Sequence, residues 1–289
     1  MKIKSVSLHT LLTFLKYRIS FAVCFTAAAG FLIYTGSFDF RLLSLMAGVF
    51  ALSGGASALN QFQEYKYDAL MPRTQQRPIP TGKIQPLQGL FISIFFIVLG
   101  ALILYLAFGW LPAVLGLFNI VWYNLIYTNL KRITAFAVVP GSLVGAVPAF
   151  IGWTAAGGFI FDATIVFIAF FLFIWQVPHF WLLMLKYGDE YELAGYPTIN
   201  QRVNPTHLPK VIFSWVMATS VTSLLFPFFL LKLSWVFFAT VFLLNIFFIA
   251  IFAQFAFGKA PETNLKKSFI SINVYMMLFM MLLIVLHFV

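Results

Sequence analysis

Residues 42–78 read LLSLMAGVFALSGGASALNQFQEYKYDALMPRTQQRP. From Leu42 to Tyr65 the only charge is Glu64, and the stretch is long enough to cross ~30 Å of hydrocarbon as a helix. The residues after it hold acid and base at close quarters: two of the chain's eight carboxylates, Glu64 and Asp68, and two of its six arginines, Arg73 and Arg77, lie between 60 and 78. An apolar span running directly into a charged patch sets both the class of protein and the place to look for chemistry.

The rest of the chain agrees on the class. It is 62% hydrophobic and 9% charged with a mean hydropathy of +0.97, whereas about a quarter of the residues in a soluble domain are charged. Further uncharged stretches run from Ile19 to Phe38, Ile84 to Leu130, Ile133 to Phe161, Ala163 to Leu185, Val211 to Leu231, Leu233 to Gly258 and Ser268 to Val289. The stretch from Ile84 is too long for one crossing, and Gly109-Trp110-Leu111-Pro112 at its middle reads as a tight turn beside an interfacial tryptophan. The expected fold is all-α, a polytopic bundle of nine transmembrane helices in one domain over residues 1–289. Two long cytoplasmic loops are expected, at about 62–86 and 187–209.

An odd number of spans places the termini on opposite sides, so basic residues should collect in alternate loops. Sixteen of the eighteen lysines and arginines fall on one side, leaving Arg41 and Lys232 opposite. The cluster includes Lys2, Lys4, Lys16, Arg18, Lys66, Lys83 and Lys259, so the N-terminus is expected in the cytoplasm and the protein in a bacterial cytoplasmic membrane. The net charge of +10 follows from this bias and suits anionic lipid head groups; it gives no reason to expect nucleic acid. The opening MKIKSVSLHTLLTFLKYRIS lacks a cleavage site and reads as a cytoplasmic lead-in helix. Cys24, alone within a span, excludes an intramolecular disulfide and a cysteine-rich metal site.

Five of the eight carboxylates lie in the two long loops: Glu64 and Asp68 in the first, Asp189, Glu190 and Glu192 in the second, while Asp39, Asp162 and Glu262 stand singly near span ends. The two acidic helices are four apart in order, which hints at a duplicated four-helix unit. Asn60, Glu64 and Asp68 recur every fourth residue and would share one face if their helix continues past the membrane. No lysine stands four residues on to relieve their repulsion, so the stripe reads either as a solvated helix end or as an oxygen ligand set for magnesium.

Arg73 and Arg77, four apart between two prolines, have the bidentate geometry that phosphate oxygens take. Together with the carboxylates they make the parts of a metal–diphosphate site. In KYGDEYELAGYP, Asp189 and Glu192 are three apart with Glu190 turned away, and Lys186 precedes them. Lys131 and Arg132, in YTNLKRIT, are within reach of a phosphate and equally expected as inside-loop anchors. His179 follows Pro178 at membrane depth in WQVPHFW; it reads either as a metal or haem ligand or base, or as a neutral ring bonded to a carbonyl that the proline frees. His9, His207 and His287 lack supporting neighbours and read as surface or interface residues. Among the 37 phenylalanines most are expected to face lipid or pack helices, with a minority lining a cavity.

NQFQEYKYDALMPRTQQRPIPTG, YTNLKRIT, the Gly141, Gly145, Pro148, Gly152 and Trp153 series, and WQVPHFWLLMLKYGDEYELAGYP together resemble the protohaem IX farnesyltransferase family, a branch of the intramembrane (UbiA-type) prenyltransferase superfamily. The resemblance covers about Tyr17 to Pro197, and the superfamily's nine-helix fold agrees with the nine expected spans. It implies transfer of the farnesyl group of farnesyl diphosphate to a vinyl group of haem B with Mg2+ as cofactor. It also implies haem A synthase or terminal-oxidase assembly proteins as partners. By position it assigns metal and diphosphate binding to Asn60, Glu64 and Asp68, diphosphate contacts to Arg73, Arg77, Lys131, Arg132 and Lys186, and a second acidic region to Asp189, Glu190 and Glu192, with Asp189 and Glu192 as metal ligands. His179 is its candidate haem contact. Two features depart from the superfamily pattern: Gln61 stands where many members carry an acid, and the second region reads D-E-x-E. Rival readings are an aromatic quinone precursor as acceptor, a secondary transporter, and a non-catalytic haem-binding subunit. The span interiors lack the charges an ion path needs, and His179 lacks the second histidine a haem subunit would carry.

Overall fold

The computed structural model describes residues 6–204, 206–229, 235–258 and 261–288. Lys2, Lys4, Lys232 and Lys259, which entered the charge count, lie outside them, as does the side chain of Glu262. The regular structure among the described residues is all helix, without a strand, and nine helices are long and apolar enough to span a membrane. A short lead-in, α1 (Leu8–Phe14), is capped by Ser7 Oγ and precedes α2 (Tyr17–Thr35). There follow α3 (Arg41–Asp68), α4 (Pro86–Phe108), α5 (Trp110–Leu130), α6 (Ala135–Ala155), α7 (Ala163–Leu193), α8 (Leu208–Phe228), α9 (Trp235–Phe257) and α10 (Pro261–Phe288). The chain is a multi-pass membrane protein.

The turn expected inside the longest apolar stretch is a single residue, Gly109, at φ +83°, which only glycine adopts without strain. The two long connections are shorter than expected. Helix α3 runs on to Asp68 and α7 to Leu193, so both acidic groups sit on helix ends and the connections cover only 69–85 and 194–207. Charged side chains at a helix end do not interrupt backbone hydrogen bonding; charge alone marks where the hydrocarbon ends and not where the helix does.

Two apolar clusters hold the bundle. One joins Phe31, Leu45, Leu52 and Leu104; the other joins Phe171, Phe226, Phe248 and Phe279. Lipid is as apolar as these side chains, so close backbone approach and polar contacts do much of the work of association. At the crossing of α2 and α6, a Cβ built on Gly152 would lie 1.7 Å from the carbonyl oxygen of Ala27, and one on Gly30 would lie 2.2 Å from that of Ala149. Among the packing groups, Cys24 is buried and its thiol donates to Met46 O at 3.3 Å. In the second cluster, Tyr275, Asn245 and Ser223 form a closed polar triad. Gly152→Ala should force α2 and α6 apart at a cost of ~1–3 kcal/mol, read as a lower thermal midpoint in detergent; an unchanged midpoint would show that this crossing is not close-packed.

Candidate active site

Asn60, Glu64 and Asp68 occupy successive turns of α3 and are 2%, 3% and 1% exposed, which removes the reading of a solvated helix end. The amide nitrogen of Asn60 donates to Glu64 Oε2 (2.9 Å) and to Thr128 Oγ1 (3.2 Å). Those two bonds fix the orientation of the amide and leave Asn60 Oδ1 without a hydrogen bond from the described residues. Thr128 is placed by a π-helical turn over Trp122–Tyr127 within α5, and its hydroxyl bonds Tyr123 O five residues back. Such bulges often mark functional positions.

Each buried carboxylate is neutralised from another part of the chain. Lys131 Nζ lies 2.6 Å from Glu64 Oε2, Tyr196 Oη donates to Glu64 Oε1 at 2.8 Å, and Arg132 Nη2 stands 3.9 Å from the same oxygen. Asp68 receives Arg77 Nη1 at 2.7 Å on both oxygens. Burial, and after it the Glu64 carboxylate, holds the Tyr196 phenol well above its ordinary pKa, so the group stays a donor. Arg132 packs over the Tyr67 ring at 4.9 Å and donates to Gln63 O, outside the cavity lining.

The second acidic region takes a different position. Arg73 N donates to Glu190 Oε2 at 2.7 Å, and its guanidinium lies over Tyr187 (4.7 Å) and bonds Tyr191 Oη (3.2 Å). Glu192 accepts from the Thr198 hydroxyl. Asp189 and Glu192 are exposed, and neither they nor Glu190 line the cavity described below. Lys186 is also exposed, against Tyr187 at 4.9 Å. The two acidic stretches are therefore linked through Arg73 and through the buried cluster of Met71, Ala194 and Tyr196, without pooling their carboxylates. Among the described residues no three His, Cys, Asp or Glu side chains form a metal cluster.

A cavity of about 730 Å3 opens beneath this roof. Five cations line it, Lys16, Arg18, Arg73, Arg77 and Lys131, against two carboxylates, so its charge favours an anion. Deeper, Val23, Val49 and Leu52 face Leu172, Trp175 and Met276, which gives an apolar chamber under a charged mouth. The aromatic lining is mostly tyrosine and tryptophan, at Tyr123, Tyr127, Trp175, Tyr191 and Tyr196; Phe180 is the one phenylalanine among the described lining residues. His179 faces the cavity between Trp175 (5.1 Å) and Phe269 (5.2 Å), and its buried Nδ1 has no hydrogen-bond partner among the described residues. The carbonyl freed by Pro178 does not hold it. Gln176, beside it, crosses to Gly145, where a Cβ would lie 1.9 Å from Gln176 Oε1. His9 and His207 are exposed, as expected, and His287 bonds its own helix at Leu283 O.

Sequence reasoning passed over Lys16, Thr128, Tyr196 and Gln176. Tyr196 and Thr128 stood inside quoted motifs but carry no charge to draw notice, and Lys16 was absorbed into the general excess of inside-loop cations.

Residues 22–283 match the UbiA prenyltransferase family. The chain belongs to that family. It is a prenyltransferase, and protoheme IX farnesyltransferase from Geobacter sulfurreducens is 39% identical over 204 residues, 70% of this chain and 74% of the relative. Among solved structures, a digeranylgeranylglyceryl phosphate synthase shares the fold at a TM-score of 0.79 with 14% identity, over 97% of this chain and 98% of the other. A UbiA homologue from Archaeoglobus fulgidus bound to DMAPP and Mg2+ follows at 0.69 with 12% identity, over 96% and 99%.

Because Asp68 is buried with one cationic partner, Arg77→Met should cost about 3 kcal/mol, seen as a fall in thermal midpoint. Adding Asp68→Asn to that variant should restore most of the loss, since the stranded charge is then gone. Additive losses in the double variant would contradict the pairing.

Proposed function

We propose that this prenyltransferase moves the farnesyl group of farnesyl diphosphate to a vinyl group of haem B. The observation that carries the reading is the pair of buried carboxylates, Glu64 and Asp68, set in a cation-rich mouth above an apolar chamber. The protoheme IX farnesyltransferase relatives give the acceptor its identity. The cations of the mouth would receive a diphosphate, and the apolar chamber beneath would take the fifteen-carbon chain. The donor set of Asn60 Oδ1, Glu64 and Asp68 is all oxygen, which suits magnesium with phosphate and water completing the shell. Bound there, magnesium would neutralise diphosphate charge as a Lewis acid.

Arg77 and Lys131, now on the carboxylates, would turn their donors toward phosphate oxygens, with Arg73 and Tyr196 beside them. Asp189, Glu190 and Glu192 would then act at the rim, Glu190 by holding the Arg73 backbone, with Arg132 and Lys186 supporting from behind. Breaking the C1–O bond sends its electron pair to the diphosphate, and the allylic cation is attacked by the vinyl carbon. Water adds to the resulting cation next to the porphyrin ring and loses a proton, giving a hydroxyethylfarnesyl group. The aromatic and apolar walls keep water from C1 until the carbon–carbon bond exists. His179, lacking a protein partner at Nδ1, would position the haem. The charged mouth would face the cytoplasm of a bacterial cell with the C-terminus opposite, and the product would pass to haem A synthase or oxidase assembly proteins.

Glu64→Gln and Asp68→Asn should each lower diphosphate release at least about a hundredfold while the proteins still fold; wild-type rates in either would overturn the reading. His179→Phe should move the Soret band of haem titrated into the protein, and an unshifted band would remove the histidine from haem positioning. A quinone precursor prenylated in place of haem would move the reaction to the other acceptor class.

A further inference from the structure

We propose that Lys16 is a diphosphate-binding residue, supplied to the charged mouth by the turn between α1 and α2. The inference rests on the diphosphate reading above and adds a contact that the acidic stripe and its arginines do not contain.

The first observation is that Lys16 is uncommitted. Of the cations lining the cavity, Arg77 is held by Asp68, Lys131 by Glu64, Arg73 by Tyr191 Oη and Arg18 by Tyr17 Oη. Lys16 alone among the described lining cations has no hydrogen bond or ion pair to its side chain, although it is half-buried. A protein gains nothing from leaving an ammonium desolvated and unpaired in its resting form; a site that must receive an anion does.

The second observation is the backbone. Lys16 sits at φ +46°, ψ +52°, the one non-glycine with positive φ among the described residues. A long side chain is disfavoured there, and such outliers persist where the surroundings impose them, often at binding sites. The turn is fixed on both sides, since Phe14 and Leu15 are buried and Phe14 O accepts from Gln61 Nε2 at 2.6 Å. Gln61 is the neighbour of Asn60 on α3, so the segment that carries Lys16 is tied to the helix that carries the stripe. The third is electrostatic: burial, then the charges of Arg77 and Lys131, bring the Lys16 pKa down to about 7, so its field is shared with the groups around the mouth. An anion bound among them would restore its full charge.

The test uses the full chain in neutral detergent, with inorganic pyrophosphate and magnesium as the titrant in calorimetry. Lys16→Gly relieves the backbone and should leave the thermal midpoint equal or higher, while weakening magnesium pyrophosphate binding about tenfold or more. Lys16→Asn, also tolerant of this conformation, should behave alike, and Lys16→Arg should retain most of the affinity. Unchanged pyrophosphate affinity in Lys16→Gly, with Arg77→Met still weakened, overturns the role of Lys16 and leaves the diphosphate site standing. Wild-type protein that binds no pyrophosphate overturns both. If Lys16→Gly instead weakens only haem B binding, the anion it holds is a carboxylate of the acceptor, and the proposal is wrong.

Discussion

Two carboxylates lie inside this bundle at a few per cent exposure, and cations and hydrogen-bond donors from other parts of the chain surround them. An isolated carboxylate in such surroundings would take up a proton. Glu64 instead meets Lys131, Tyr196 and Asn60, and Asp68 meets Arg77 on both oxygens. Those partners come from four separate stretches of chain. Neutralising two charges thus fixes how α3, the connection after it, the end of α5 and the connection after α7 must meet.

The cavity follows from the same arrangement. The cations that line the mouth outnumber its carboxylates five to two, so the mouth holds positive charge while the walls below are apolar. An amphiphile with an anionic head and a hydrocarbon tail matches that gradient, and few soluble metabolites do. The resting ion pairs also have a use in the proposed chemistry. They keep Arg77 and Lys131 at the mouth, so that loading the proposed site asks these side chains to exchange a carboxylate for phosphate oxygens within the same cavity.

Much of this was legible in the sequence. The spans stood out because hydrocarbon tolerates few charges, and Gly109 marked the one turn hidden in a long apolar run. The Asn60, Glu64, Asp68 period is a helical signal that survives at the end of α3. Charge pattern did not show where α3 and α7 stop, because a helix leaves the membrane without ending. Nor could spacing tell that Asp189 and Glu192 face outward while Glu190 turns to Arg73, since side-chain direction there depends on how two loops pack through Met71 and Tyr196. Lys16 was hidden for a related reason: in a chain with a basic inner face, a cation aimed into a cavity looks like any anchor.

The most direct measurement of the central claim is mass spectrometry of haem B after incubation with the purified chain, farnesyl diphosphate and magnesium. The account predicts haem heavier by one farnesyl group and one hydroxyl, formed with one diphosphate per product and absent without the metal. Unmodified haem alongside consumed farnesyl diphosphate would contradict it.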